Sequence, residues 1–391
     1  MRRTVFSTFS AFTLLCLGCN ESIDAPSAAP TQVTALKPAA DEPSDEELKR
    51  LIDEAIDFNS GRYMNANDHA AWQIVHGILA YGRDLRIYVN GELVSALDHL
   101  LAGGELRGWA IKPGDHGVET MLEVGSKSGQ GHEDQWLGYI AQTGIGPEEP
   151  IVVAGKTFKF GDLLTQAQWD AYEGMEASWT LMALSVYVPA DTTWQAKDGQ
   201  TWSVERMIEM EAGADLASSA CGGSHRMSGI AMALNRRIED GGEISGGWKK
   251  ADDKVQECIA KCREHQQPDG TFSTNYWIRP STSPDAALRL NTTGHQLEYL
   301  AISTNSKQLR EPWIRQAAVA LVKLLDETRE LPVECGGLYH AIHGLELYRD
   351  RVYGPRDTTT VVPAESAEKD LPPPPTSAEA ESAQSQDKTQ R

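Results

Sequence analysis

No stretch of this 391-residue chain gathers its lysines and arginines into a basic stripe, and the net charge is −20. Nucleic-acid and anionic-lipid surfaces both need such a stripe, so the acidity speaks for solubility and against those partners. The N-terminal apolar run, Val5 to Leu17, falls short of the roughly 20 residues that a bilayer-spanning helix needs. Cysteine is scarce, six in all, and outside the first 19 residues no two stand in a CxxC pair, which excludes a four-cysteine zinc finger. A phosphate-binding loop is missing too. Gly155-Lys156-Thr157 ends like one, but Pro150 stands where its first Gly should be, and the Gly-rich stretch Gly125 to Gly131 has its Lys in the wrong place. That stretch is expected to be a mobile lid or loop.

The ends of the chain differ from its middle. Arg2 and Arg3, the apolar run and then Gly18-Cys19 follow the order of a secretory signal. Leu17-Gly18-Cys19 resembles the end of a bacterial lipoprotein signal, with Cys16 where Leu is usual; the resemblance implies export and anchoring to the cell envelope through lipidated Cys19. Residues 20–43 are rich in Ala, Pro, Ser and Thr, and residues 355–391 carry Pro372 to Pro375 among Ser, Glu and Gln. Neither buries enough apolar surface to offset its ordering entropy, so a disordered tether and a disordered tail are expected around one domain, 44–354.

Within that domain six segments share a pattern of a polar residue followed by small residues and an Ala/Leu-rich helical stretch. They are Trp72 to Tyr81, His132 to Ala141, Glu176 to Val186, His225 to Leu234, His295 to Ser303 and His340 to Tyr348. Each follows a more polar amphipathic stretch, so the unit is a helical hairpin of roughly 40 to 70 residues, in or near the range of helical repeats. The pairs read as 45–58 with 68–82, 92–102 with 132–142, 162–172 with 176–187, 202–216 with 224–237, 251–265 with 293–303, and 312–328 with 338–351. Ser44-Asp45-Glu46-Glu47 is a capping box for the first, and Pro312 suits the first turn of the last. Residues 151–160 around Gly155 predict a small β-hairpin. The second helix of each pair is poorer in charge, which predicts an inner ring of helices. His76 to Tyr81 and His343 to Tyr348 resemble each other, as neighbours across a ring closure would.

The expected fold is therefore an all-α (α/α)6 toroid of six hairpins. It resembles the α/α toroid superfamily of squalene and hopene cyclases, protein prenyltransferase β subunits and complement-type thioester domains, best at Gln267-Pro268-Asp269-Gly270-Thr271-Phe272. The segments Thr293 to Glu298 and Leu338 to His343 resemble bacterial secreted proteins that carry the name ADP-ribosylation factor-directed GTPase-activating protein, although the zinc finger this name implies has no counterpart here. The superfamily's activities do not carry over. No Asp-x-Asp-Asp acid motif is present, neither Cys221-Gly222-Gly223 nor Cys335-Gly336-Gly337 matches a thioester signature, and no Asp/Cys/His zinc set of a prenyltransferase can be assigned.

Parallel inner helices bring their N-termini to one mouth, which would gather His132, Glu176, His225, His295 and His340, with Glu298 nearby. Imidazole beside carboxylate supplies general acid–base chemistry near neutral pH. Asp134, Arg226, Arg279, Asp285 and Arg289 are candidate ligand-binding neighbours, since helix N-termini favour anions. The plain alternative is that these residues tie one hairpin to the next. Cys221 with His225 and Cys335 with His340 make a possible zinc site; a Cys221–Cys335 disulfide or two buried thiols are the expected alternative. Cys258 and Cys262 read as core thiols. The expectation is a protein that binds a glycan or other envelope ligand at this mouth, with a glycan lyase or hydrolase, or a prenyltransferase-like enzyme, as the alternatives.

Overall fold

The computed structural model describes residues 42–356 and Pro374. The leader, Cys19 and nearly all of the expected tether and tail lie outside these residues.

Helix α1 (Asp45–Ser60) starts at Ser44, whose hydroxyl accepts the Glu47 N–H at 3.2 Å, with acids filling the first turn. Leu48, Ile52 and Ile56 recur every fourth residue and form its buried stripe. Strand β1 (Met64–Asn65) leads into α2 (Ala71–Tyr81), which is buried at every position from Ala71 to Ala80. The antiparallel pair β2 (Arg86–Val89) and β3 (Glu92–Ser95) follows, so the second outer helix does not begin at Glu92 but shrinks to α3 (Ala96–Leu101). Asn90-Gly91 is the cause. Both residues have positive φ, 53° and 87°, the backbone of a two-residue hairpin turn.

A second hairpin, β4 (Trp109–Pro113) with β5 (Val118–Leu122), occupies the long connection to α4 (Gln135–Ala141). The Gly-rich stretch expected to be loose packs back on it. Trp109 Nε1 donates to the Gln130 carbonyl at 2.7 Å, and a Cβ at Gly131 would fall 2.4 Å from the Trp109 ring. The hairpin expected around Gly155 is present as β6 (Pro150–Val153) and β7 (Lys156–Lys159).

Next come α5 (Gly161–Asp170), α6 (Ser178–Tyr187), the hairpin β8 (Thr193–Gln195) and β9 (Thr201–Ser203), α7 (Val204–Ala212) and α8 (Ser224–Glu239). The chain closes with α9 (Gly246–Glu264), α10 (Ala286–Ser303), the single turn α11 (Ser306–Leu309), α12 (Pro312–Glu327) and α13 (Cys335–Tyr353). Two helices begin earlier than expected because carboxylates cap them. Asp285 accepts from the Ala287 and Leu288 N–H groups, and Glu334 from those of Gly336 (2.8 Å) and Gly337 (2.9 Å).

The fold is predominantly helical, with helices in pairs and β-structure confined to small sheets. The helices α2, α4, α6, α8, α10 and α13 pack in that succession, and α13 packs on α2. The remaining long helices flank them: α1 against α12 and α13, α12 against α10, α9 against α7 and α8. Glycine sets the closest approach. A Cβ at Gly294 of α10 would lie 2.7 Å from Ala341 Cα, and one at Gly344 of α13 would lie 2.9 Å from the Glu298 nitrogen, so α10 and α13 meet backbone to backbone. Most of the bulk around them is apolar, with Trp136, Trp179, Trp202 and Trp248 among the fully buried side chains. Pro374 is buried too, and its carbonyl accepts from His69 Nε2 at 2.8 Å, just ahead of α2. No helix of the described residues is long and apolar enough to cross a membrane.

Candidate functional site

Three helices deliver imidazoles to one point. His225 sits in the first turn of α8, behind a turn in which Cys221, Gly222 and Gly223 all have positive φ (48°, 62° and 80°). Left-handed backbone at a non-glycine residue costs about 1–3 kcal/mol and needs the surroundings to impose it. Here Trp277 Nε1 donates to the Gly222 carbonyl at 2.5 Å, and a Cβ on Gly222 would lie 2.3 Å from the Tyr276 ring. Tyr276 itself has φ 49°.

From that turn His225 Nε2 reaches His340 Nε2 at 3.1 Å and His295 Nε2 at 3.2 Å. The tautomers of the two partners follow from what they face. His295 Nδ1 donates to the Asn291 carbonyl at 2.8 Å, and His340 Nδ1 donates to Glu298 Oε2 at 2.7 Å. A carbonyl and a carboxylate only accept, so each Nδ1 carries a proton, and in the neutral ring the lone pair is on Nε2. Glu298 also accepts from His343 Nδ1 at 2.6 Å, and the Tyr139 hydroxyl lies 3.1 Å from His340 Nε2. His76 packs edge-on against Tyr139 and His340. His225 Nδ1 is buried without a partner.

This set is almost fully enclosed, with His295 and His340 each 1% exposed and Glu298 5%. Burial, reinforced by neighbouring imidazoles, holds His225 and His295 well below the ordinary histidine range, and pushes His76 down to about 3. Burial acts upward on Glu298, but the charge of His340 and the hydrogen bonds from His340 and His343 hold it well below the usual carboxylate range. The Glu298 carboxylate stays charged, while His76, His225 and His295 are held neutral.

Toward the surface a second pair stands more open. His132 Nδ1 meets Glu176 Oε2 at 2.8 Å, and both side chains are about a third exposed, 31% and 28%. His132 stacks on Trp179 with ring centroids 4.4 Å apart, and Trp179 lies 5.1 Å from His225, so one indole joins the two layers. Arg226 reaches Glu176 Oε1 at 3.9 Å while paired with buried Glu211. Glu211 in turn accepts from the Ala177 N–H (3.0 Å) and the Ser178 hydroxyl (3.1 Å) at the start of α6. Burial acts upward on Glu176, but His132 and Arg226 carry it below its ordinary value.

The chain thus brings His225, His295, His340 and Glu298 together, with His132, Glu176 and Arg226 beside them. Ligand atoms of Cys221, His225 and His295 lie within 4.8 Å of one another. Cys335 is elsewhere. It is buried in the first turn of α13 against Gln73 and Met64, inside a helix and not in a turn like that of Cys221, because Glu334 extends α13 through Cys335-Gly336-Gly337. Cys221, Cys258, Cys262 and Cys335 are all free thiols, and burial pushes that of Cys221 up to about 12.

The remaining candidates face other partners. Asp134 accepts from Thr180 Oγ1 at 2.5 Å and ties α4 to α6. Arg279 is exposed and contributes its carbonyl to Ser273. Asp285 caps α10, and Arg289 pairs with Asp269 and Glu327 at the surface. Sequence reasoning passed over Tyr139, Trp179, Tyr276, Glu211 and His343. Only His343 carried a signal, its spacing from His340 on the same helix. Comparison with protein-family models, curated proteins and solved structures yields no match.

Proposed function

We propose that this chain is an (α/α)6-toroid enzyme, a hydrolase or lyase acting on a glycan or other envelope ligand, with its reaction centre at the end where His132, Glu176 and the buried imidazoles meet. The succession of packed helices that returns from α13 to α2 supports the toroid. Export and anchoring through Cys19 belong to the same reading and rest on the leader. The observation that carries the chemistry is the partly exposed His132–Glu176 pair, 2.8 Å apart, stacked over the indole that separates it from a buried imidazole set. A fold needing only stability would fill such an interior with apolar side chains, because buried polar groups must each be satisfied.

In this reading Glu176 holds His132 with its proton on Nδ1, leaving Nε2 as the base. Nε2 takes a proton from an attacking water, or from the carbon next to a carboxyl in a lyase, and returns it to the leaving oxygen. Arg226 keeps the Glu176 carboxylate ionised and in place. Lone binding without turnover, the first expectation from sequence, explains the pair less well, since ligand binding needs no oriented base.

The test is release of reducing ends or of acid from a panel of envelope glycans and their esters. His132→Gln and Glu176→Gln are expected to lower turnover by about 10²-fold or more while ligand retention stays close to that of the parent chain. Turnover that survives both substitutions, or retention without turnover in the parent, would reject the assignment.

A further inference from the structure

We infer that the Nε2 atoms of His225, His295 and His340 hold one divalent cation of the zinc class, with Cys221 supplying a fourth ligand. The inference deepens the reading of this end as a reaction centre and rests on that reading only for what the ion does there.

The argument begins with lone pairs. Asn291 and Glu298 fix the Nδ1 protons of His295 and His340, so both Nε2 atoms turn bare nitrogens toward His225 Nε2. His225 can place one proton between them and satisfies one neighbour at most. The Tyr139 hydroxyl, 3.1 Å away, can satisfy His340 Nε2, so what points to a cation is the spacing of the three ring nitrogens, 3.1 and 3.2 Å from one to the next. Around a tetrahedral ion with bonds of 2.0–2.1 Å, adjacent nitrogens stand about 3.3 Å apart, and the two separations are already close to that.

The outer contacts fit as well. Metal-bound imidazoles usually donate their other N–H to a carboxylate or a backbone carbonyl, and His340 and His295 do each of these. Glu298, braced on its other side by His343, supplies a negative charge directly behind one ligand. Cys221 has its ligand atom within 4.8 Å of those of His225 and His295, a set that His340 joins through its contact with His225 Nε2, and its strained turn is clamped by Tyr276 and Trp277. Three imidazoles and a thiol favour zinc or cobalt over magnesium or calcium, which prefer oxygen. Cys335 does not take part, since its thiol faces Gln73 and Met64. With four protein ligands a tetrahedral ion keeps no open position, so it would brace α8, α10 and α13 below the His132–Glu176 pair and take no substrate oxygen.

The test titrates the chelator-stripped full chain with Zn2+ and with Co2+. One equivalent of Zn2+ per chain is expected, with a rise in melting temperature. Co2+ should give the intense visible bands of a tetrahedral site and a sulfur-to-cobalt absorption that disappears in Cys221→Ser. His295→Ala and His340→Ala should abolish stoichiometric binding, and Glu298→Gln should weaken it about 10–100-fold. Glu298→Gln and Cys221→Ser keep side-chain volume, so a fold checked by circular dichroism keeps the comparison meaningful if a His variant fails to fold. Absence of stoichiometric binding, or binding unchanged in Glu298→Gln and His295→Ala, overturns the inference. Turnover with no stoichiometric binding would remove the ion and leave the proposed function standing; stoichiometric binding in a chain without turnover would do the reverse.

Discussion

Replacing Glu211 offers the sharpest test of how the open layer of the site is held. Its carboxylate, 1% exposed, is paired with Arg226 and accepts from the Ala177 N–H and the Ser178 hydroxyl. Burial pushes this carboxyl above its ordinary value, and Arg226 with the two donors recovers only part of the shift. The pair is therefore expensive as a pair and more expensive to break. Glu211→Ala leaves a guanidinium that cannot lose its proton with only Glu176 at 3.9 Å and the Ser219 hydroxyl, and strands two donors; removing one partner of such a pair costs about 3–5 kcal/mol. Against a total stability of roughly 5–15 kcal/mol this is a large fraction. Arg226→Met should cost less, because Glu211 is already displaced toward its neutral form and can take up a proton. The double variant Glu211→Leu/Arg226→Met should return to within about 1 kcal/mol of the parent or exceed it. Urea denaturation with an unchanged slope measures all three. Turnover should fall in both variants that lack Arg226, since nothing then reaches Glu176 from that side. A single variant that loses less than about 1 kcal/mol, or a double variant as unstable as Glu211→Ala, would refute the argument.

Asp134→Asn should stabilise the protein in a pH-dependent way. Burial raises the Asp134 carboxyl from 3.8 to about 6, so its contribution is full below about pH 4 and is lost as pH rises through 6. After allowance for its partial exposure, Asn should gain about 1–2 kcal/mol at pH 8 and close to nothing at pH 4, read from urea midpoints at both. An equal effect at the two pH values would sink the assignment. Gly294→Ala puts a Cβ 2.7 Å from the Ala341 backbone, where nothing flexible can yield, and should cost about 1–3 kcal/mol in the same assay. Because the shift separates His295 from His340, Zn2+ affinity should fall with it, and a variant of parental stability and affinity would contradict the close packing of α10 on α13.

Helix periodicity was legible in the sequence because the two faces of each hairpin differ so strongly in charge. What escaped was local. Asn90-Gly91 announces a hairpin turn, yet the apolar residues around it also suit a helix, and Glu92 to Ser95 went to the wrong class. Asp285 and Glu334 are cap residues that lengthen α10 and α13, and with them His295 moves from a helix end into a helix interior. The repeated histidines pointed to one site, and His225, His295 and His340 do meet. Their orientation did not follow from spacing, since it depends on Asn291 and Glu298 fixing the protons. Arg279, Asp285 and Arg289 were grouped with the site by nearness in sequence alone, and the loop before α10 takes the first two to the surface while Arg289, in the first turns of α10, turns to Asp269 and Glu327. Glu211 had no signal, because an acid on an amphipathic outer helix reads as a solvated one until its neighbours are known.

Those caps also change which charge the mouth prefers. Bare N-termini of parallel helices favour anions, and that was the expectation for this end. Yet Glu211 occupies the start of α6, Asp285 that of α10, and Glu334 the first N–H groups of α13. The protein's own carboxylates already answer three of these helix ends. Glu298 and Glu176 add two more negative charges, against which Arg226 is the nearby guanidinium. Helix α8 differs, as it begins after Gly223 with no side-chain cap, beside His225. The electrostatic balance therefore favours a cation among the imidazoles and leaves the uncapped starts of α4 and α8 for charge that develops on a substrate oxygen. A neutral glycan or ester meets this arrangement without penalty. A polyanion would have to approach through Glu176 and a chain whose net charge is −20.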